Sequence, residues 1–251
     1  MTASSEAPRA PAATWWRAEV RQLYPAALDP VEPADVYGDL PSAPGRPAVR
    51  LNMIASADGG AQLGGVSGGL GGPADAALFR RLRAMADIVL VAAGTLRAEH
   101  YGPADVPIAV VTRSLRLDWS GHFFRDQRAR PLIVTVATAP AAELARAAEV
   151  AEVVLAGERD VDLAQALDAL GRRGHANVLA EGGPTLNAEL VAAGLLDELC
   201  LTLSPALLGG AGVKRILDGT PLPELARLEL RSLCEEDGFL FLRYRPAGAG
   251  P

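Results

Sequence analysis

The sequence predicts an α/β protein with a mostly parallel central sheet, flanking helices and an antiparallel hairpin at its C-terminal edge. Three observations support this fold class. Short apolar runs alternate with segments of helical periodicity through the middle of the chain, a pattern that implies right-handed crossovers between parallel strands. Several runs are apolar throughout, as strands buried on both faces are. The last two runs are separated by the acidic turn 235–238, which is typical of a hairpin.

The N-terminal region differs in composition from the rest of the chain. Residues 1–47 are rich in Ala and Pro, which predicts an extended arm, and segment 14–25 is expected to form one short helix in it. A single folded domain is predicted for residues 48–247. It begins with the strand 48–56, which is followed by the glycine-rich loop 58–72.

The domain continues as an alternation of strands and helices. Further strands are predicted at 87–94, 106–112, 131–137, 152–155, 176–180, 197–205, 226–235 and 239–246. Helices are predicted at 73–86, 161–174 and 184–194. The first helix opens with Pro73 in the first turn, and Ala77, Leu78, Leu82 and Met85 recur at helical spacing.

The composition excludes several classes of function. The 251 residues carry a net charge of −6, which gives no electrostatic support for nucleic-acid binding. No apolar run approaches the roughly 20 residues of a membrane span, and the N-terminus lacks the apolar middle of a signal peptide. Cys200 and Cys234 are predicted to be reduced core residues. We therefore expect a cytoplasmic protein without a disulfide framework or a metal site.

A carboxylate and two glycines stand where the predicted strand 176–180 gives way to a helix. The turn reads Ala-Glu-Gly-Gly-Pro-Thr and runs from Ala180 to Thr185. Its glycines allow backbone N–H groups to approach an anion closely, and the following helix points its positive end at the turn. A helix start that needs a left-handed residue would also explain the glycines. Neither explanation accounts for Glu181, because a carboxylate beside a pyrophosphate is repelled unless it serves another purpose.

Two further strand ends carry polar groups. Gly94 and Thr95 close one strand, with Thr95 as the predicted N-cap of a helix and Glu99 one turn later. Arg113 and Ser114 follow the next strand, and a guanidinium beside a hydroxyl suits a phosphate monoester such as the 2′-phosphate of NADPH. Each group alone is also compatible with a solvated surface. Together the three turns favour a nucleotide site, since parallel strands end at one edge of a sheet.

Three segments carry a recognisable combination of motifs: SADG (56–59), LRAMADIVLVAAGT (82–95) and LAEGGPTLNAELVAAGLLDELCLTLSPALLGG (179–210). This combination resembles the pyrimidine reductases of riboflavin biosynthesis, which have a dihydrofolate-reductase-like fold. The resemblance covers residues 48–245. Many members of that family also carry a zinc deaminase domain, whose H-x-E and P-C-x-x-C ligands do not occur here. We therefore expect a stand-alone reductase.

The resemblance implies NADPH-dependent reduction of a ribosylamino-pyrimidine 5′-phosphate to the ribitylamino compound. It places the NADPH pyrophosphate on the glycine turn and the helix start, with further cofactor contacts from the other two strand ends. The implied cofactor-binding residues are Gly94, Thr95, Glu99, Arg113, Ser114, Gly182, Gly183, Pro184, Thr185 and Leu186. The implied substrate-binding residues are Ser56, Ser67, Arg83 and Glu181.

The implied reaction adds a hydride to C1′ of an opened ribosylamine that is protonated as an iminium ion. The nicotinamide supplies the hydride, so the protein contributes alignment and a carboxylate that stabilises the cation and exchanges its proton. Glu181 and Asp58 are the predicted catalytic residues.

The chain departs from the family pattern at three places. Gly60 stands where a basic residue often follows S-x-D-G, Gly69 stands where a tryptophan often follows G-x-S, and residues 99–103 replace the usual D-D-P-x-L. All three changes lie on the substrate side or near the nicotinamide. Cofactor use is therefore better supported than the identity of the substrate.

Two other functions remain open. The segment PADAALFRRL (73–82) resembles the helix of true dihydrofolate reductases whose acid, here Asp75, contacts the pteridine. The simpler explanation for Asp75 is a first-turn acid that the helix dipole favours. A non-catalytic NADPH-binding protein would fit the loss of a basic residue at Gly60, although the presence of Glu181 argues against it.

The resemblance also implies a homodimer, because relatives of this kind are usually dimers. The apolar segment LCLTLSPALLGG (199–210) is the expected interface. An uncovered strand edge this hydrophobic would otherwise aggregate.

Overall fold

The computed structural model describes residues 20–40, 43–102, 104–211, 213–219 and 221–248, and within them the chain forms one ten-stranded sheet. The strands are β1 (Arg21–Tyr24), β2 (Ala48–Ser56), β3 (Ile88–Ala92), β4 (Ile108–Val111), β5 (Leu132–Thr135), β6 (Glu152–Leu155), β7 (Asn177–Ala180), β8 (Glu198–Ser204), β9 (Leu228–Glu236) and β10 (Phe239–Pro246). The helices are α1 (Pro33–Tyr37), α2 (Pro73–Ala84), α3 (Ala93–Ala98), α4 (His122–Arg125), α5 (Ala141–Val150), α6 (Leu163–Gly171) and α7 (Pro184–Ala192).

The sheet is parallel over most of its width. From edge to edge the strand order is β1-β9-β10-β8-β2-β7-β3-β4-β5-β6. The strands from β8 to β6 run parallel to one another, whereas β10, β9 and β1 are joined by antiparallel pairing. The predicted α/β class is confirmed, including the C-terminal hairpin formed by β9 and β10.

The middle strands are apolar throughout, and their side chains contribute to two hydrophobic cores, one on each face of the sheet. In β3, Val89 and Val91 belong to one core and Ile88 and Leu90 belong to the other. Alternate residues of a strand point to opposite faces, so a strand covered on both sides is apolar at every position. Helices α2 and α4 contribute to the first core, and α6 and α7 contribute to the second.

The N-terminal arm is built differently from the prediction. The sequence predicts a helix in segment 14–25, but the described part of that segment contains the strand β1, and residues 1–19 lie outside the described part of the chain. The short helix of the arm is α1 instead. Strand β1 pairs with β9, so it supplies hydrogen-bond partners to the outer side of the C-terminal hairpin.

The prediction that residues 199–210 form an open edge of the sheet is wrong. Strand β8 occupies the interior of the sheet, where it pairs in parallel with β2 and antiparallel with β10. Both sides of its backbone are therefore hydrogen-bonded within the chain. The apolar character of this segment reflects burial in the sheet and lends no support to pairing between two copies.

Helices α4 and α5 are absent from the sequence prediction. Helix α5 is rich in alanine and buries only Ala147, so it has no wide apolar stripe to detect. Cys200 and Cys234 are buried and unpaired, as predicted, and burial raises the pKa of the Cys200 thiol to about 12. Among the described residues, no helix is both long and apolar enough to cross a lipid bilayer.

Candidate active site

A cavity of about 300 Å³ lies at the carboxyl end of the parallel strands. Its walls come from the second half of β2, from α2 and α3, and from the turn that follows β7. Eight of the predicted site residues line it: Ser67, Arg83, Thr95, Glu99, Glu181, Gly182, Gly183 and Pro184. The edge of the sheet that the sequence analysis selected is therefore the edge that carries the cavity.

Glu181 is held in the cavity by three side-chain hydrogen bonds. Its carboxylate is 2% exposed. Arg83 donates from Nε to Oε1 and from Nη2 to Oε2, both at 2.7 Å, and the Tyr101 hydroxyl donates to Oε2 at 2.9 Å. A bidentate guanidinium fixes the plane of the carboxylate and offsets its charge. Glu181 is therefore presented as an oriented, hydrogen-bonded anion.

Arg83 is held between two aromatic rings. The centre of its guanidinium lies 4.3 Å from the ring centroid of Phe79 and 5.2 Å from that of Tyr101. Such cation–π contacts stabilise a guanidinium and restrict its orientation. The family resemblance implies that Arg83 binds the substrate, but two of its three guanidinium nitrogens are committed to Glu181.

Burial, and next the negative charge of Glu181, raise the pKa of the Tyr101 phenol well above its usual value. The phenol therefore keeps its proton at neutral pH and acts as a hydrogen-bond donor to the carboxylate. Tyr101 follows His100, whose φ of +49° is left-handed. A left-handed residue just after a short helix turns the chain sharply, and here it directs Tyr101 back toward the cavity.

The glycine turn after β7 is packed against α3. A Cβ on Gly183 would lie 2.8 Å from the Thr95 Oγ1, so a side chain at this position would collide with the hydroxyl. Gly182 has a φ of +105°, and the peptide bond that joins the two glycines is cis. Helix α3 begins at Ala93, which places Thr95 in the first turn and not at the predicted N-cap position.

Ser67 and Glu99 meet across the cavity mouth. The backbone N–H of Ser67 donates to Glu99 Oε1 at 2.8 Å. Glu99 therefore anchors the glycine-rich loop that carries Ser67.

Asp58 and Ser56 are engaged in a turn and do not line the cavity. The Asp58 carboxylate accepts hydrogen bonds from the Ser56 hydroxyl at 2.5 Å and from the backbone N–H groups of Leu208 and Gly209 at 3.1 and 2.7 Å. The Ser56 bond, followed by those of Gly209 and Leu208, lowers the pKa of Asp58 to about 2. The structure does not support the predicted catalytic role of Asp58 or the predicted substrate contact of Ser56.

Five predicted cofactor residues lie outside the cavity lining: Gly94, Arg113, Ser114, Thr185 and Leu186. Arg113 is exposed beyond the end of β4 and pairs with the exposed Asp160 at 2.8 Å. An exposed ion pair of this kind is weak, so the guanidinium remains exchangeable. Thr185 and Leu186 lie in the first turn of α7, immediately after the cavity-lining Pro184.

Several residues that line the cavity were not predicted as site residues from the sequence. Asp75 was explained by the helix dipole, yet it lines the cavity and is hydrogen-bonded to the Thr202 hydroxyl. Burial raises the pKa of its carboxyl. Phe79 lies in the segment 73–82 and Tyr101 in the segment 99–103, but the sequence assigns a role to neither of them. Asn52 lies two positions before Ile54 on β2, so strand alternation places both on one face.

The cavity is acidic. Among the described residues that line it, Asp75, Glu99 and Glu181 carry carboxylates, and Arg83 is the single Lys or Arg side chain. The guanidinium of Arg83 faces Glu181. The three carboxylates are therefore suited to contact neutral or cationic groups that donate hydrogen bonds.

Comparison with known proteins gives a consistent result. Residues 47–238 match the protein family described as the RibD C-terminal domain. Over 199 residues the chain is 32% identical to the 2,5-diamino-6-ribosylamino-4(3H)-pyrimidinone 5′-phosphate reductase of Methanothermobacter thermautotrophicus, covering 74% of this chain and 92% of that protein. The Archaeoglobus fulgidus protein of the same name is 29% identical, with coverage of 62% and 78%.

The chain belongs to the RibD C-terminal domain family. It is an oxidoreductase of the pyrimidine reductase type. A pyrimidine reductase-like protein of Corynebacterium diphtheriae superposes with a TM-score of 0.71 at 29% identity, over 85% of this chain and 98% of that one. RibD of Acinetobacter baumannii gives 0.67 at 21% identity, over 81% and 59%, and shares the fold. The predicted fold is confirmed as the one that these reductases share.

Membership of the RibD C-terminal domain family implies a nicotinamide cofactor, and the residues present fit the pyrophosphate of a dinucleotide. No side chain caps the N-terminus of α7, so its first backbone N–H groups remain available to an anion. The absence of a Cβ at Gly183 keeps the turn open beside Thr95.

Proposed function

We propose that this protein uses NADPH to reduce the ribosyl side chain of 2,5-diamino-6-ribosylamino-4(3H)-pyrimidinone 5′-phosphate to the ribitylamino compound, a step of riboflavin biosynthesis. The observation that carries the proposal is the position of Glu181. It is a buried, oriented carboxylate next to an uncapped helix N-terminus with a glycine turn. The archaeal relatives bear the name of this activity.

NADPH would be held by the glycine turn and by the two neighbouring strand ends. Gly182, Gly183 and the first turn of α7 would hold the pyrophosphate, and Thr95 would contact the cofactor from α3. Arg113 would exchange its weak pair with Asp160 for the 2′-phosphate that separates NADPH from NADH. These assignments agree with the resemblance and rest on the described geometry of the three turns.

When bound, NADPH would supply a hydride to C1′ of the opened ribosyl chain. The substrate at that point is an iminium cation, protonated from solvent, and the electron pair of its C=N double bond moves onto nitrogen as the new C1′–H bond forms. Glu181 would stabilise that cation with a carboxylate already fixed in place, which is the advantage of a preorganised charge. Arg83 Nη1, which is free of the bond to Glu181, would contact the phosphate.

The test is oxidation of NADPH by the purified protein, with the pyrimidine phosphate and dihydrofolate supplied in separate reactions. Turnover of the pyrimidine with formation of the ribitylamino product supports the proposal. Turnover of dihydrofolate alone contradicts it. Tight binding of NADPH without turnover of either compound would favour a non-catalytic NADPH-binding protein.

Reduction of dihydrofolate is a second candidate, because of Asp75. This acid lines the cavity near the N-terminus of α2, is partly buried and is hydrogen-bonded to Thr202. A partly buried carboxyl that accepts and donates hydrogen bonds suits the amino-substituted ring that pterins and this pyrimidine share. Asp75→Asn should therefore weaken both reactions, and the ratio of the two activities identifies the preferred ring.

We further propose a homodimer in the cytoplasm, without nucleic-acid or membrane partners. The dimer rests on the family resemblance alone, because the apolar strand β8 is covered on both sides within the chain. Light scattering on a size-exclusion column tests it. A monomer mass of 26.1 kDa would contradict it.

A further inference from the structure

We infer that Tyr101 is a positioning residue for Glu181, and that its hydroxyl directs the substrate to the Oε1 oxygen of that carboxylate. The inference rests on the proposed function, in which Glu181 faces the reacting carbon. Tyr101 lies in the segment 99–103, where the chain departs from the family pattern, and it is 80 positions from Glu181 in the chain.

The two oxygens of the Glu181 carboxylate differ in the hydrogen bonds that they accept. Each carboxylate oxygen offers about two acceptor positions. Oε2 accepts one bond from Arg83 Nη2 and one from the Tyr101 hydroxyl, so its capacity is used. Oε1 accepts one bond, from Arg83 Nε. The oxygen with unused capacity is therefore Oε1, and Tyr101 is the residue that creates the difference between the two.

Arg83, Tyr101 and Glu181 form a rigid assembly. The guanidinium of Arg83 is held between the rings of Phe79 and Tyr101 at 4.3 and 5.2 Å. Tyr101 thus acts on Glu181 twice, through its hydroxyl directly and through its ring on Arg83. The phenol stays protonated because burial raises its pKa, so it donates and does not compete as an anion.

The chemistry explains why this orientation matters. The positive charge of the iminium lies on the C=N unit that receives the hydride, and it is neutralised when the electron pair moves to nitrogen. A carboxylate oxygen stabilises that charge only at a fixed position, and small displacements reduce the rate strongly. Without the Tyr101 hydroxyl, both oxygens of Glu181 have one free position, and the carboxylate loses its preference for one of them.

The test is Tyr101→Phe, which keeps the ring against Arg83 and removes only the hydroxyl. We expect the single-turnover rate of hydride transfer to the pyrimidine phosphate to fall about 10-fold, while the dissociation constant of NADPH, the KM of the pyrimidine and the melting temperature stay close to wild type. A rate within about twofold of wild type contradicts the inference. So does a loss that appears only in KM.

A double-mutant cycle separates positioning from an independent role. If Tyr101 acts through Glu181, Tyr101→Phe has no further effect in a Glu181→Gln background. Multiplicative losses would overturn the inference. Tyr24→Phe, an exposed tyrosine on β1, is the matched control and should leave the rate unchanged.

The wild-type protein distinguishes the two levels of failure. If wild type does not reduce the pyrimidine, the proposed function fails and this inference fails with it. If wild type does reduce the pyrimidine and Tyr101→Phe is equally fast, only the inference fails.

Discussion

Glu181 is a buried carboxylate whose charge is stabilised by hydrogen bonds within the protein. Burial removes its hydration, and an unpaired charge in that position would be costly. Two nitrogens of Arg83 and the hydroxyl of Tyr101 replace the lost water. The sequence identified Glu181 because a carboxylate beside a glycine turn needs an explanation. Tyr101 was not predictable, since only the folded chain brings it to Glu181.

Asp58 illustrates the opposite case, a motif residue whose carboxylate is hydrogen-bonded within a turn outside the cavity. We predict that Asp58→Ala lowers the melting temperature and changes kcat by less than about twofold, because the carboxylate holds the backbone of Leu208 and Gly209 and does not line the cavity. Thermal unfolding and steady-state kinetics of the same preparation measure both. A large loss of kcat with an unchanged melting temperature would restore Asp58 to the chemical step.

The stability that Asp58 contributes to the folded protein should depend on pH. The pKa of Asp58 is about 2 in the folded protein, below the value of about 4 for an unfolded chain. A depressed carboxyl pKa contributes stability above the unfolded value and loses it as the pH falls through the folded value. The difference in melting temperature between wild type and Asp58→Ala should persist at neutral pH and shrink between about pH 4 and pH 2.

At the scale of elements, helix α2 presents one face to the cavity. Asp75, Phe79 and Arg83 are spaced four residues apart, which places them on one side of a helix. The sequence assigned Arg83 to the substrate and explained Asp75 by the helix dipole, although their eight-residue spacing already placed both on one side of the helix. Periodicity thus predicts which residues share a face. It does not predict what that face contacts, because the partner is a strand end elsewhere in the chain.

Helix α3 packs closely against the turn before α7, which limits the size of the side chain at Gly183. A Cβ at Gly183 would lie 2.8 Å from the Thr95 Oγ1, so Gly183→Ala should destabilise the protein by about 1–3 kcal/mol through overpacking. Removing the hydroxyl should recover most of that loss in the double variant with Thr95→Ala. Urea unfolding measures both.

The matched control for this pair is Gly68→Ala, because a Cβ there meets nothing within 4 Å. It should leave stability nearly unchanged. If Gly183→Ala is as stable as this control, the close approach of the two elements is not a constraint on the turn.

At the scale of the whole molecule, a buried ionic cluster joins the N-terminal arm to the sheet. Glu198 is fully buried and accepts hydrogen bonds from Arg50 at 2.6 Å and Arg243 at 2.7 Å. Arg50 also donates to the carbonyl of Tyr37, and Arg243 donates to that of Asp39. The cluster therefore links β2, β8 and β10 to the segment around α1.

Glu198→Ala should destabilise the protein by about 3–5 kcal/mol, because it leaves the buried guanidinium of Arg50 without its counter-charge and leaves that of Arg243 with only the exposed carboxylate of Asp39. Arg128→Ala removes an exposed pair with Asp105 and should cost less than about 1 kcal/mol. Chemical denaturation of both variants measures the difference. Equal costs would show that burial of the Glu198 cluster contributes nothing to stability.

The whole-molecule topology was only partly predictable from the sequence. Alternating apolar and helical segments were enough for the parallel sheet, because each crossover joins elements that are near in the chain. The neighbours of β8 and the pairing of β1 with β9 were not predictable. They join segments far apart in sequence, and the apolar pattern of a covered interior strand resembles that of an open edge.

The role of Glu181 in hydride transfer is tested by comparing wild type with Glu181→Gln in single-turnover reduction of the pyrimidine phosphate. NADPH binding to both proteins is measured separately. The amide keeps the shape of the side chain and removes the charge. We predict a loss of about 100-fold or more in the rate of hydride transfer and a dissociation constant for NADPH within about threefold of wild type. An unchanged rate would show that the Glu181 carboxylate takes no part in the reaction.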